Sequence, residues 1–445
     1  MMNSRRLRSP LSRTLVIAAV TLATVPWAFG TDLEKVLHNF AAKPALNPAA
    51  GLISDAAGNL YGTSSIGGNS CPPVCGTVFE LNRTSKGWVY HVIYEFKGGT
   101  GDGQNPQGGL IFDAVGNLYG TTEYGGSAQC FGQPYGCGTV FKLTHTSSGW
   151  AETILYRFND SAGGVFPTGN LAMDAAGNLY GAALAGGLSG CSEFGCGTIF
   201  ELSPGPGGWI ESVLYAFSGG SDGWEPGGNL VFDAKGSLYG ATGFGAITNM
   251  NCCGVLFELT PAVGGWTFSA LYTFTGGSDG VSATGLIFDR DGNLYGTAGE
   301  GGSATCALGC GTVFELMPDG GVWNFSVLHS FTGSDGEYPN EIVFDKKGNL
   351  YGTTLGGGGR GVSLCNQGGC GVVFELGPAK GGGWTETVLH RFGGKDGAQP
   401  VAGVLVKPNG HIFGTTYDGG TYNYGVVFEL VKKPRPKTVA EAQAD

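Results

Sequence analysis

The chain has 445 residues, 85 of them glycine and 20 proline, with 42% hydrophobic and 11% aromatic side chains and a formal net charge of −11. That length exceeds one ordinary globular core, and the apolar content excludes a disordered chain despite the glycine. The acidic balance argues against nucleic acid and anionic membrane surfaces as partners.

The first thirty residues read as a signal peptide. Arg5, Arg6, Arg8 and Arg13 precede the apolar run Leu15–Val25, and the small residues Ala28 and Gly30 lie before Thr31. Losing those four arginines leaves 20 basic against 35 acidic side chains, a balance of −15, and a mature chain with no apolar stretch of membrane length. The expected location is secreted, periplasmic or extracellular.

From there on the chain repeats itself. The aromatic of a GNLYG-type segment recurs at Tyr61, Tyr119, Tyr180, Tyr239, Tyr295, Tyr351 and Phe413, at spacings of 58, 61, 59, 56, 56 and 62. Each unit holds four β-like runs. In the second unit these are Leu110–Asp113, Asn117–Thr122, Gly138–Leu143 and Gly149–Phe158, with an Asp-x-x-Gly hairpin turn between the first two. The fourth run alternates most clearly, as in Trp209–Phe217. Four short strands, seven times over, predict an all-β, seven-bladed β-propeller of four-stranded antiparallel blades. The seventh unit stops after its third run at Leu430, and Leu33–Phe40 is a lone fourth-type run matching Val388–Phe392. Joining this N-terminal strand to the last blade closes the ring and hides two sheet edges. The propeller is expected over residues 31–431, with 432–445 a polar tail. By analogy with other propellers, the first run lies innermost and the Trp-bearing run outermost. One face then carries the cysteine loops and the Asp-Gly turns.

Twelve cysteines fall into one local pair in each of the first six units: Cys71/Cys75, Cys130/Cys137, Cys191/Cys196, Cys252/Cys253, Cys306/Cys310 and Cys365/Cys370. An even count, local pairing and an export signal predict one loop-closing disulfide per blade. The variable spacing and the lack of accompanying histidines argue against a metal site. Adjacent Cys252 and Cys253 can bond only through a strained eight-membered ring, which makes this pair the most prone to reduction.

Residues that recur in every unit serve the blade, whereas a site needs residues peculiar to one unit. His38, His329 and His390 stand where Tyr94, Tyr156, Tyr215 and Tyr272 stand elsewhere, so they read as packing residues, and no catalytic triad is supported. The recurrent Glu80, Glu201, Glu258, Glu315, Glu375 and Glu429 also read as structural. Asp102, Asp222, Asp279, Asp335 and Asp396 of the Asp-Gly turns read first as turn formers, and second as a negative field at the channel mouth. The unit-specific binding candidates are Trp224, Glu225, Glu337, Tyr338, Phe166, Tyr124, Phe131 and Tyr135, since exposed aromatics on propeller loops suit sugars or proteins. The expected function is a non-enzymatic binding or scaffold module for carbohydrate or protein, acting as a monomer without cofactor or metal. The alternative is a polysaccharide hydrolase or lyase with its site at the channel mouth.

The wording GLIFDAVGNLYGTT at Gly109–Thr122, GTVFKL at Gly138–Leu143 and VLHRF at Val388–Phe392 resembles the GloVer-type tandem repeat family of exported bacterial proteins. The resemblance implies export and propeller-like repeats, and it brings no catalytic residue. Residues 432–445 lack the surface-anchoring signal associated with that family, so free secretion is expected.

Overall fold

The recurring unit folds as one antiparallel sheet because its second strand is buried along most of its length, its outer strand alternates apolar and polar residues, and each junction carries a turn former. The structure, a computed structural model, describes residues 33–69, 75–132, 134–159, 163–245, 253–359, 365 and 368–432. The expected signal peptide and all but Lys432 of the tail lie outside them. Every regular element among the described residues is a β-strand. Blade three shows the pattern in full: Val165–Met173, Leu179–Ala185, Thr198–Gly205 and Gly208–Ala216 pair in that order, from inner to outer. Blades four, five and six repeat it from Trp224, Val281 and Glu337.

The ring closes as the two chain ends require. Leu33–Asn39 pairs antiparallel with Val426–Val431, from Leu33 opposite Val431 to Asn39 opposite Val426. This added strand shifts register between Val36 and His38, and covalently linked outer pairs shift at the same place, as between Val140 and Phe141. The closing strand therefore reproduces the geometry of a built-in fourth strand.

The inner strand differs from its sequence reading. It was expected to begin at a Leu110-type residue, but in blade three it begins at Val165, six residues before Leu171. Its Gly- and Pro-rich start reads as loop, yet it pairs with the second strand across a register shift between Thr168 and Ala172. In blade one the same stretch splits into Ala45–Pro48 and Ile53–Ser54, both on Leu60–Gly67.

Buried networks explain the recurrent polar residues. Asp55 accepts from the backbone N–H and the side-chain amide of Asn59, and it lies 3.2 Å from the Tyr61 hydroxyl, which donates to Glu80 at 2.7 Å. Tyr351 bridges Asp345 and Glu375 in the same way. Where the tyrosine becomes Phe413, His411 takes over and its Nδ1 pairs with Glu429 at 2.6 Å. The strand-ending Phe packs edge-on against the ring two residues earlier, whether Tyr94, Tyr215, His38, His329 or His390. These histidines are blade packing residues. Between blades, the outer-strand tryptophan packs on the second-strand aromatic of the preceding blade, as Trp323 does on Tyr239 and Trp384 on Tyr295.

Candidate functional site

A second seam contact builds the face that carries the cysteines. At seven equivalent places, one per blade, a non-glycine residue near the start of the inner strand has φ between 52° and 60°: Asn47, Asn105, Phe166, Glu225, Ser282, Tyr338 and Gln399. In six of the seven the next residue is proline. The backbone N–H of each residue donates to a carbonyl of the preceding blade. Asn105 donates to Cys75, Phe166 to Cys137, Glu225 to Cys196, Ser282 to Cys253, Tyr338 to Cys310 and Gln399 to Cys370, at 2.9–3.4 Å, and Asn47 donates to Tyr424 at 2.9 Å. At five of the six cysteine seams the glycine after the cysteine is required by the same contact: a Cβ on Gly138 would lie 2.5 Å from the Cδ of Pro167 in the next blade.

The disulfides therefore hold the loop whose carbonyl the next blade needs. Bonds join Cys130 to Cys137, Cys191 to Cys196, Cys306 to Cys310 and Cys365 to Cys370, with Cα–Cα distances of 5.0–5.2 Å. Cys75 and Cys253 are also disulfide-bonded; their expected partners, Cys71 and Cys252, lie outside the described residues.

Two of these loops carry aromatics, and the fold brings them together. Phe131 and Tyr135 lie within the Cys130–Cys137 loop, and Phe194 lies within the Cys191–Cys196 loop. Phe131 meets Phe194 at 5.4 Å between ring centroids, Phe166 meets Phe194 at 6.1 Å and Tyr124 at 5.7 Å, and Tyr124 meets Tyr135 at 5.8 Å. Four expected binding residues thus form one cluster of tilted and edge-on rings across blades two and three, with Phe131 and Phe166 partly buried against the core and Tyr135 53% exposed. Phe194 completes it and was missed, because a lone aromatic in a Gly/Ser loop carries no signal until its neighbours are known. Trp224 on blade four is tilted over Phe244 at 5.0 Å and packs in the cluster that holds Cys191 and Cys196. Glu225 on blade four and Glu337 and Tyr338 on blade six are half-buried, and burial raises the carboxyls of Glu225 and Glu337 above their ordinary value.

The Asp-Gly aspartates do not join this group. Asp102 accepts from the Tyr94 hydroxyl and from the backbone N–H groups of Lys97 and Gly103. Asp222 and Asp279 repeat the pattern with Tyr215 and Tyr272. Asp335 and Asp396 lie 3.1 and 3.0 Å from the Nε2 atoms of His329 and His390. Hydrogen bonds to His329 and Thr332 outweigh burial and hold the Asp335 carboxyl down at about 2. These residues brace the turn between blades.

On the inner strands lies an open cavity of about 410 Å³. Its wall is mostly small and neutral, with Ala49, Ala50, Gly108, Gly169, Gly228 and Ala402, and its polar groups are Gln107, Thr168, Asn170, Glu123 and Glu341. Asn170 Oδ1 accepts from Gly109 N–H at 2.5 Å, and Asn229 Oδ1 accepts from Asn170 N–H at 3.2 Å. Asn229 also hydrogen-bonds Glu341. Glu341 is the one ionisable residue in the slot before the inner-strand aliphatic, where the other units have Gly51, Gly109, Asn170, Asn229, Gly285 and Gly403. Its side chain keeps access to the channel while protein surrounds it, and this burial raises its carboxyl from 4.5 to about 7. Aligning the seven units on that aliphatic would have singled it out.

The family model of the Gloeobacter/Verrucomicrobia repeat matches residues 27–192, 129–365 and 189–428, which together run through all seven blades. The chain belongs to that repeat family. No curated protein matches it. Among solved structures, this Gloeobacter/Verrucomicrobia repeat protein is similar to a luciferin-regenerating enzyme, at 13% identity over 73% of this chain and 91% of the other, with a TM-score of 0.43. It is also similar to the PQQ-bound aldose sugar dehydrogenase of Streptomyces coelicolor, at 16% identity over 80% and 97%, with a TM-score of 0.43.

Proposed function

We propose that this repeat protein is an exported binding propeller that takes a neutral carbohydrate chain across its cysteine-bearing face. The observation that carries the reading is the aromatic cluster of Phe131, Tyr135 and Phe194 on two disulfide-closed loops with Tyr124 and Phe166 on the adjoining strands, near a cavity lined with amide, hydroxyl and backbone groups. Pyranose rings stack on such faces through their C–H groups, and the amides and carbonyls satisfy their hydroxyls. The ring sets a positive φ at all seven seam positions, and at Phe166 and Tyr338 it holds an aromatic in a conformation that glycine or asparagine suits better.

Screening the mature protein on a glycan array and titrating the best ligand tests this. Phe131→Ala together with Tyr135→Ala weakens the ligand at least tenfold, and Tyr338→Gly weakens it while leaving stability within about 1 kcal/mol, since glycine accepts the positive φ. Retention of no glycan, with capture of a defined protein on the same face, replaces carbohydrate by protein as the ligand class.

One observation favours a second reading, a polysaccharide-active enzyme. Glu341, raised to about 7, shares the cavity with Glu123, and a carboxyl so placed suits general acid catalysis. Turnover of a bound glycan that Glu341→Gln abolishes would establish it.

A further inference from the structure

The outer seam between successive blades is built in three ways. The ring two residues before the strand-ending Phe faces one residue of the next blade's outer strand. At three seams that residue is another aromatic: His38 stacks on Tyr90, Tyr215 on Phe268 and Tyr272 on Phe325. At two seams tyrosine faces a carboxylate, Tyr94 with Glu152 and Tyr156 with Glu211. At the last two, histidine faces glutamate and a turn aspartate joins them: His329, Asp335 and Glu386 between blades five and six, and His390, Asp396 and Glu34 between blades six and seven.

The second of these sets converges. One ligand atom each of Glu34, His390 and Asp396 lies within 4.8 Å of the others, and no other such group of three occurs among the described residues. His390 Nε2 and Asp396 Oδ2 are 3.0 Å apart, and the other oxygen of Asp396 accepts from the Gly393 N–H at 2.7 Å, which fixes the carboxylate. Glu34 Oε1 is buried with no hydrogen-bond partner. A carboxylate in that position calls for a cation or a proton. Donors about 2.1 Å from a tetrahedral zinc ion stand about 3.4 Å from one another, so the His390–Asp396 pair opens by a few tenths of an ångström and Glu34 closes by on the order of 1 Å.

We infer that Glu34, His390 and Asp396 form a site for one zinc-type divalent ion that staples the closing strand to blade six. One imidazole with two carboxylates selects a borderline transition ion over calcium or magnesium, which prefer all-oxygen shells. The place gives the ion its effect. Among the described residues, Glu34 lies on the one outer strand not covalently continuous with its own blade, so the ion joins the N-terminal strand to residues at positions 390 and 396 and closes the ring a second time. Metal binding is thereby coupled to ring closure.

The mature protein, stripped with chelator, is titrated calorimetrically with Zn²⁺, and its melting is followed with and without the ion. The expected result is one equivalent bound and a Tm rise on the order of 3–5 °C at 100- to 1,000-fold excess over Kd. Glu34→Gln and His390→Ala, each checked for a native β spectrum, weaken Zn²⁺ at least 100-fold and lose the Tm rise. His329→Ala, one seam away, leaves both unchanged. Absence of binding at micromolar Zn²⁺ overturns the inference and assigns Glu34 a proton instead. Equal affinity in wild type and both ligand variants, or loss only in His329→Ala, overturns it as well.

Discussion

Gly296 lies directly opposite Phe314 in blade five, and the Phe314 ring occupies the space a side chain would take. A Cβ on Gly296 would stand 2.6 Å from Phe314 Cζ and 2.7 Å from Leu286 Cδ2, both in the core. Gly62 with Phe79 and Gly352 with Phe374 repeat the pair at 2.6 Å. The glycine of the LYG motif is thus a steric requirement of the neighbouring phenylalanine, independent of φ. Gly296→Ala is expected to lower stability by about 1–3 kcal/mol, read from the urea midpoint at constant m-value. An unchanged midpoint would mean that Phe314 has room to move, against the packing described.

The inner strand of blade six, Glu337–Phe344, is the element whose chemistry departs most from its equivalents. It is wedged between neighbours: a Cβ on Gly285 would meet Glu341 Cα at 2.6 Å, and one on Gly403 would meet its carbonyl oxygen at 2.9 Å. Burial raises the Glu341 carboxyl from 4.5 to about 7, so between those values the folded protein holds a proton that the unfolded chain releases. The cost of ionising it is absent below pH 4.5 and reaches full size once pH passes 7. Stability therefore falls as pH rises from 5 to 8. Glu341→Gln, which keeps an acceptor for Asn229, flattens that fall by at most about 3 kcal/mol, seen as a gain in Tm at pH 8 and little change at pH 5. Equal pH profiles for the two proteins would remove Glu341 from the account.

Ring closure rests on one strand. Leu33–Asn39 covers the edge of Val426–Val431, Phe40 is buried at 1% exposure, and the Phe40 N–H donates to Gly425 as the other strand-ending phenylalanines donate to their own blades. A chain beginning at residue 41 loses this ladder and bares the edge of Val426–Val431. It is expected to lose at least about 3 kcal/mol of stability and to self-associate, by denaturant unfolding and size-exclusion chromatography. A monomer with an unshifted midpoint would show that the ring holds without its closing strand.

The number of blades, the four strands in each, the Asp-x-x-Gly turns and the pairing of the two ends were all legible in the chain. They follow from alternation, local turn chemistry and repetition, which act over a few residues or compare one unit with the next. The histidine positions could be read in the same way, because His38, His329 and His390 replace tyrosine in a slot that the four other units define. The site was legible only in part. Tyr124, Phe131, Tyr135 and Phe166 stood out as peculiar to their units, but that they meet, and that Phe194 joins them, depends on how two loops of neighbouring blades face each other. The left-handed backbone at Phe166 and Tyr338, the Cys-to-next-blade hydrogen bonds, and the convergence of Glu34 with His390 and Asp396 were set by the ring itself. These contacts join residues far apart in the chain or in different blades, and no local periodicity encodes which side chains a closed ring will press together.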